Sequence, residues 1–532
     1  MSAEPSGISP PERIHREKIA RELSSGRAGG LPSNVDWVAS LPEAEQRRYD
    51  GVVRRKPTRT LSGVAVVAVM TAPARCPHGR CTYCPGGVEN ASPQSYTGEE
   101  PSALRGAQFH WDARAITHHR LEALEAIGHP TSKVEVIVMG GTFPSRPREY
   151  QESVFRGIYD GLNGAPSASL GEAQTRNEAA AHRLVGLTVE TRPDWCNDRV
   201  LPFLLDAGVT RVEIGVECLE ESVLANVGRA HGIDDVVRAT ADARANGLKI
   251  CYHMMLGLPG MDPERDLAGF ERLFDDPGLR PDMLKVYPTL VIPGTPLFED
   301  WKAGRYAPYD TDTAADLLAR IKARLPPWVR VQRIQRDIPA RLIAAGVRAG
   351  NLRQLAHQRL AAEGRRCACL RCREVGRRAL PDPDQLRLLE RSYEVTGGSE
   401  RFLSWEDEST DSVAGFLRLR LPTSEREGPP MIRELKVVGA EVAVGESARD
   451  RTRFQHRGLG SSLIERAEEI ARGRGHPRIR VISAVGTRPY YARHGYERDG
   501  PWMGKPLGTK GVPAEYRSLT SSFCVLEALP PK

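Results

Sequence analysis

Short apolar runs separated by stretches of helical periodicity organise the chain from residue 61 to about 315. The runs are Gly63–Met70, Val134–Met139, Leu184–Val189, Val209–Val216, Leu248–Met255 and Met283–Leu290. Each reads as a strand. Ala115–Ile127 and Asp234–Asn246 read as helices between them. Repeated strand–helix units predict an α/β fold: a parallel sheet with outer helices, closed fully or partly into a TIM-type barrel. In such barrels the chemistry sits at the C-terminal ends of the strands. Asn163–Thr175 reads as a surface insertion and Arg13–Leu23 as a short helix. After residue 385 the pattern changes. Phe416–Leu421, Ile432–Val438 and Ile479–Ala484 predict strands, and Gly458–Arg472 predicts one amphipathic helix with Leu459, Leu463, Ile464, Ala467, Ile470 and Ala471 on its apolar face.

Composition narrows this picture. With 532 residues, 40% hydrophobic and 27% charged, the chain is a soluble, multidomain globular protein by composition. No run approaches the roughly 20 apolar residues of a membrane span, and the N-terminus has no secretory apolar core. A cytoplasmic location is expected, where ten cysteines serve as ligands or free thiols rather than disulfides.

Charge is unevenly spread. Asp316–Leu380 holds 16 Lys/Arg against 4 Asp/Glu, a net +12, so the rest of the +7 chain carries −5. That segment points to a localised anionic partner such as nucleic acid; a solvated helical face is the plainer alternative. Four spans follow: a basic N-terminal segment over 1–60, a barrel over 61–315, a basic linker over 316–385 and a C-terminal domain over 386–532.

Three motifs carry candidate chemistry. Cys76, Cys81 and Cys84 form C-x4-C-x2-C directly after a strand. Three close thiolates suit an iron–sulfur cluster with one open iron, or zinc completed by His78 or a distant ligand. Two strand-end loops accompany them. One holds Gly140 and Gly141, whose backbone can approach a ligand closely; the other holds Glu190 and Arg192, a pair able to hold a zwitterion. Cys367, Cys369 and Cys372 form C-x-C-x2-C and predict a structural zinc site, its fourth ligand open among His357, Cys524 and a distant histidine. Gln455-His456-Arg457-Gly458-Leu459-Gly460, opening a helix, can cradle a pyrophosphate. Cys196, Cys218 and Cys251 read as packed core thiols, and His118 and His119 as ordinary helix residues.

The first triad with its loops resembles the radical S-adenosylmethionine superfamily, with one extra residue in the first gap. The glycine turn, its flanking strands and Arg488–Tyr496 resemble a GNAT acetyltransferase. Together, with CPHGRCTYCPGG, VEVIVMGGTFPS, VGLTVETRPDWC, LKVYPTLVIPGTPL, FQHRGLG and AVGTRPYYARHGY in order, the chain is similar to the Elongator catalytic subunit family.

That resemblance implies a tRNA wobble-uridine enzyme using a 4Fe–4S cluster, S-adenosylmethionine and acetyl-CoA. A deoxyadenosyl radical would take hydrogen from the acetyl methyl group, and the carbon radical would add to C5 of the uridine, giving 5-carboxymethyluridine. It implies Gly140, Gly141, Glu190 and Arg192 at S-adenosylmethionine. It also implies Lys133, Glu434, Leu435, Lys436, Val437, Leu459, Gly460, Ser461 and Tyr491 at acetyl-CoA. Tyr490, Tyr491 and Lys285 are candidate catalytic residues; helix packing is the plainer role for the tyrosines, and a buried Lys285 needs a partner or a lowered pKa. Arg54, Arg55, Lys56, Arg330, Arg333 and Arg336 are candidate phosphate contacts for the anticodon stem-loop. An external electron donor and a homodimer complete the expectation. The competing reading is a protein lysine acetyltransferase whose iron–sulfur barrel is only structural.

Overall fold

The structure, a computed structural model, describes residues 59–377, 380–424, 427–439, 454–455 and 457–508, with a few isolated residues before 59. Most of the expected Arg13–Leu23 helix, the cluster Arg54, Arg55 and Lys56, and Cys524 lie outside the described residues.

The N-terminal sheet has seven parallel strands in sequential order. They are β1 (Ala65–Met70), β2 (Lys133–Met139), β3 (Arg183–Thr191), β4 (Arg211–Glu217), β5 (Lys249–Leu256), β6 (Met283–Pro288) and β7 (Arg330–Ile334). β1 pairs with β2 and β7 with β6, but not with each other, so the barrel is partial. The strands are apolar almost throughout because helices cover the sheet: Val67, Val136, Leu187, Val212, Ile250 and Leu284 are all buried. Local signals set the helix starts. Asp112 accepts from Ala115 N at 3.0 Å to open Ala113–Glu125, and Asp310 accepts from Thr313 N at 2.8 Å to open Thr311–Arg324.

β7 is an unexpected element. It lies inside the segment read from charge as a linker, so the sheet runs past residue 315. Asn163–Thr175 is also not a loose insertion. Ser169 caps a helix over Leu170–Asn177 that buries Ala173 and Asn177, and Asn177 receives Leu184 N, tying the helix to β3.

The C-terminal sheet has the order β13-β14-β12-β11-β10-β9-β8. Its strands are β8 (Arg387–Val395), β9 (Gly398–Asp407), β10 (Ser412–Pro422), β11 (Met431–Val437), β12 (Arg478–Val481), β13 (Glu497–Asp499) and β14 (Trp502–Pro506). β11 and β12 run parallel and pair only at Met431↔Arg480 and Ile432↔Val481. Beyond Ile432 they part, leaving one edge of β11 facing a gap. The helix Leu459–Gly473 packs Leu463, Ile464, Ala467 and Ala471 onto this sheet.

The two sheets meet through buried charges. Arg433 binds Asp282 at 2.5 and 3.0 Å across the junction and Glu400 at 2.8 Å within its own sheet, and Arg418, held by Glu434 at 2.9 Å, lies 3.7 Å from Asp282. Burial would raise the Asp282 carboxyl, but Arg433 and Arg418 hold it well below the carboxylate range.

Candidate active sites

The first site forms at the C-terminal ends of the barrel strands, around a cavity of about 100 Å³. The loop after β1 brings in Cys76, Cys81 and Cys84, none of them in a disulfide. Gln94 donates to Cys84 Sγ at 3.2 Å, and Thr142 Oγ1 lies 3.7 Å from Cys76 Sγ. Burial pushes the Cys76 and Cys81 thiols up, against the pull of the hydrogen bond from Thr142 and of Arg229 respectively. Across the cavity, Glu190 accepts from Tyr96 Oη at 3.0 and 3.1 Å and from Gly140 N at 3.2 Å. Arg192 gives two hydrogen bonds to Asp194, while its buried Nη1 has no hydrogen-bond partner among the described residues. Gly141 sits where a Cβ would stand 3.7 Å from Cys76 Sγ; Gly140, with φ +133°, would push a Cβ into Thr71 Oγ1 at 2.2 Å.

Arg229, Glu217, Glu213, His253 and Tyr287 carry no sequence signal here. Arg229 reaches Cys81 Sγ at 3.9 Å and Glu217 at 3.6 Å. His253 Nε2 lies 3.0 Å from Glu213 Oε2, and Tyr287 crosses the His253 ring edge-on. Lys285 hydrogen-bonds Glu213 inside the barrel. Burial alone would depress its ammonium, but the Glu213 carboxylate keeps it raised, so a buried Lys285 has the partner it was expected to need. Arg336 also turns inward: it donates to Ser95 O, and its guanidinium lies 5.3 Å from the Tyr96 ring centroid.

The second site lies at the opposite, N-terminal end of the strands, where the C-terminal sheet docks. Its cavity, about 460 Å³, has walls from both domains. Lys133 at the start of β2 donates to Gln455 Oε1 at 2.9 Å, and Gln455 Nε2 donates to Val437 O at 3.1 Å. Gly63 is required beneath them, since a Cβ there would lie 2.0 Å from Gln455 Nε2 at φ +80°. Glu434, Leu435, Lys436 and Val437 line the gap where β11 leaves β12, and Gly458, Gly460 and Ser461 line the helix start. A Cβ at Gly460 would stand 2.7 Å from Tyr490 Oη. Leu459 instead packs toward the core around Val375 and Phe454. Tyr490 and Tyr491 both line the cavity; Tyr491 is also buried in the domain core.

A third group lies outside both cavities. Cys367, Cys369 and Cys372 place their sulfurs within 4.8 Å of one another. His357 Nε2 is 3.5 Å from Cys372 Sγ, and Lys322 Nζ is 3.2 Å from Cys367 Sγ and 3.6 Å from Cys372 Sγ. Cys196, Cys218 and Cys251 are buried, as read from sequence. His118 pairs with Glu122, and His119 packs on Phe109.

The basic segment is largely neutralised from within the fold. Arg330, only 12% exposed, pairs with Glu374 at 2.6 Å, and Arg333 pairs with Asp337. Arg330 and Arg336 therefore make their contacts inside the fold, Arg330 with Glu374 and Arg336 with Ser95 O.

Residues 71–270 match the Radical SAM superfamily, residues 281–362 the Radical_SAM C-terminal domain, and residues 370–496 the acetyltransferase (GNAT) family. The chain is 44% identical over 509 residues to a protein named tRNA uridine(34) acetyltransferase from Methanocaldococcus jannaschii, covering 93% of this chain and 92% of that one. The chain belongs to the family of the tRNA uridine(34) acetyltransferases and Elongator complex protein 3. Elongator complex protein 3 of Homo sapiens is 44% identical, with 90% of each chain covered. The solved structure of Methanocaldococcus infernus Elp3, lacking its N-terminal residues 1–46, superposes with a TM-score of 0.74 at 40% identity, covering 84% of this chain and all of that one. This family's radical and acetyltransferase modules are thus the two cavity-bearing domains described above.

Proposed function

We propose that the chain installs a carboxymethyl group on C5 of the wobble uridine of tRNA, using the acetyl group of acetyl-CoA. One observation carries this reading: two cavities open at opposite ends of a single barrel, one lined by three thiols, the other by a glycine turn and an unpaired strand edge. A lysine acetyltransferase would need no thiol-lined cavity behind its coenzyme site.

The residues of the first cavity fit a 4Fe–4S cluster with S-adenosylmethionine, which together supply a hydrogen-abstracting radical when bound. Cys76, Cys81 and Cys84 hold the cluster. Arg192 Nη1, buried without a partner among the described residues, meets the carboxylate of the zwitterion. Glu190, fixed by Tyr96 and Gly140, faces its ammonium. Gly141 keeps the approach beside Cys76 open.

In the second cavity, Gly458, Gly460 and Ser461 receive the coenzyme pyrophosphate at the helix start. The free edge of Glu434–Val437 pairs with the pantetheine amides. Lys133, held by Gln455, presents its charge where the two domains meet. Tyr490 and Tyr491 close the apolar side.

Zinc fits the third group. A single ion with metal–sulfur bonds of about 2.3 Å needs its thiolates within about 4.6 Å of each other. The Cys367, Cys369 and Cys372 sulfurs approach that spacing, and His357 stands next to them as the fourth ligand. Arg353, Arg366 and Arg371 line a cavity of about 420 Å³ beside this group, and Arg353 Nη1 is buried without a hydrogen-bond partner among the described residues. This cluster, rather than Arg330, is the surface for tRNA phosphates.

The test is anaerobic reconstitution of the purified chain followed by mass spectrometry of tRNA nucleosides. Carboxymethyluridine should require iron, S-adenosylmethionine and acetyl-CoA together. Product formed without S-adenosylmethionine, or acetyl transfer to peptide alone, overturns the proposal.

A further inference from the structure

One layer of side chains inside the barrel separates the two cavities. On β3, Thr188 lines the coenzyme cavity and Glu190 the thiol cavity; on β4, Arg211 and Glu213 divide in the same way; on β5, Lys249 and His253 do so. On β3 and β4 two residues of strand, about 7 Å at about 3.3 Å per residue, set the thickness of this floor, and on β5 four residues do, about 13 Å.

Barrels of this type fill their interior with layers of branched apolar side chains. Here the dividing layer is charged. A chain of ion pairs runs from Lys436 through Glu135, Arg211 and Glu213 to Lys285 and His253. Its outer links are tight: Lys436 Nζ lies 3.0 Å from Glu135 Oε1, and His253 and Lys285 both bind Glu213 Oε2.

Its centre is loose. Arg211 Nη1 stands 3.6 Å from Glu135 Oε2, and Arg211 Nε stands 3.7 Å from Glu213 Oε1. Both distances exceed a hydrogen bond. Neither Arg211 Nε nor Glu213 Oε1 has a hydrogen-bond partner among the described residues, although Arg211 is 5% exposed and Glu213 0%. A buried donor left without a partner is costly, and more so when it is charged. Such a group in a cavity wall marks the place where a ligand completes it.

We propose that Arg211 receives the thioester carbonyl of acetyl-CoA, so that the acyl end enters the barrel from the N-terminal ends of its strands. The methyl group then points through the lumen toward the thiol cavity. The inference rests on the acetyl-CoA reading of the second cavity. Glu213, pinned by Lys285 and His253, keeps Arg211 at the boundary and excludes bulk water from the passage. The carbonyl replaces the hydrogen bonds that Arg211 does not make to Glu135 and Glu213. Arg211 acts as a binding and positioning residue, and the bond-breaking chemistry stays in the thiol cavity.

The test compares acetyl-CoA with S-ethyl-CoA, a thioether of nearly the same shape without the carbonyl, by calorimetry on the full chain. A charge-assisted hydrogen bond predicts that the wild-type chain prefers acetyl-CoA by roughly tenfold or more. Arg211→Met should bring acetyl-CoA down to the level of S-ethyl-CoA and leave S-ethyl-CoA binding unchanged. Equal wild-type affinity for the two ligands, or equal weakening of both by Arg211→Met, overturns the role of Arg211 while leaving the coenzyme site in place. Binding of neither ligand overturns the coenzyme reading and this inference with it. A second measurement covers misfolding of the variant. Bound ¹³C-carbonyl acetyl-CoA should show a lowered C=O stretching frequency in the wild-type chain, and an unshifted band overturns the proposal.

Discussion

The two cysteine triplets use the same number of thiols and build opposite surroundings. Cys367, Cys369 and Cys372 draw their sulfurs within 4.8 Å, beside His357 and the buried Lys322. Cys76, Cys81 and Cys84 do not meet that spacing; they ring a cavity with Arg192, Arg229 and Glu190 opposite. Convergence suits one small ion with all positions filled. Spread suits a larger cluster that must leave room for a ligand. Burial would depress the Lys322 ammonium, but Cys369, Cys367 and Cys372 keep it raised, so its charge balances the thiolates. At the first triplet, the balancing arginines stand in the cavity wall, where a substrate reaches them.

The sharpest break of the comparison is thiol replacement at each site. Changing Cys76, Cys81 and Cys84 to alanine should abolish carboxymethyluridine in the tRNA assay and leave the melting temperature near wild type. Cys369→Ser should do the reverse first: zinc content falls from one per chain to none, and stability drops by several kcal/mol in denaturant melts. If Cys369→Ser leaves stability intact, the third group is not a structural site. Next come the balancing cations. Lys322→Met should weaken zinc roughly 10- to 100-fold by chelator competition, and Arg229→Gln should lower iron retention or activity by a similar factor. Equal effects of both changes on zinc would erase the distinction.

The smallest effect is a pH slope that the histidines at the first triplet contribute. Burial, then Arg192 and Arg229, lowers His78 to about 4; burial, then Arg229 and Arg192, lowers His231 to about 2. The unfolded chain therefore binds protons below about 6.5 that the folded chain refuses. Stability should fall as pH drops from about 6.5 toward 4, and His78→Gln with His231→Asn should flatten that slope. Replacing His357 should leave it in place.

The sequence was most legible where side chains serve the backbone or a fixed motif. Six of the seven parallel strands follow from their apolar runs, because a covered parallel sheet requires them. The thiol triplets and the glycine turn follow from spacing. β7 was hidden because its run, Arg330–Ile334, holds only two apolar residues, Val331 and Ile334, spaced out of strand alternation among two arginines and a glutamine. β8 was hidden because most of Arg387–Val395 stays partly exposed. Charge was the least reliable guide. Arg320 binds Glu264, Arg324 binds Glu271, Arg359 binds Asp312, and Arg373 binds Glu406 and Asp411, all acids outside the basic segment. A linear sum cannot register pairing across a fold. Arg229 and His253 act through three-dimensional neighbours that no local pattern encodes.

The Asp282–Arg433–Glu400 junction makes the two domains an indivisible pair. Cut between residues 385 and 386, each half would carry stranded charge: Asp282 without its arginines on one side, Arg418 and Arg433 opened to solvent on the other. Neither fragment would keep its native face, and a calorimetric trace of the intact chain should show one transition rather than two. The acetyltransferase half is thus not a portable module. It holds its shape by leaning on the barrel it serves.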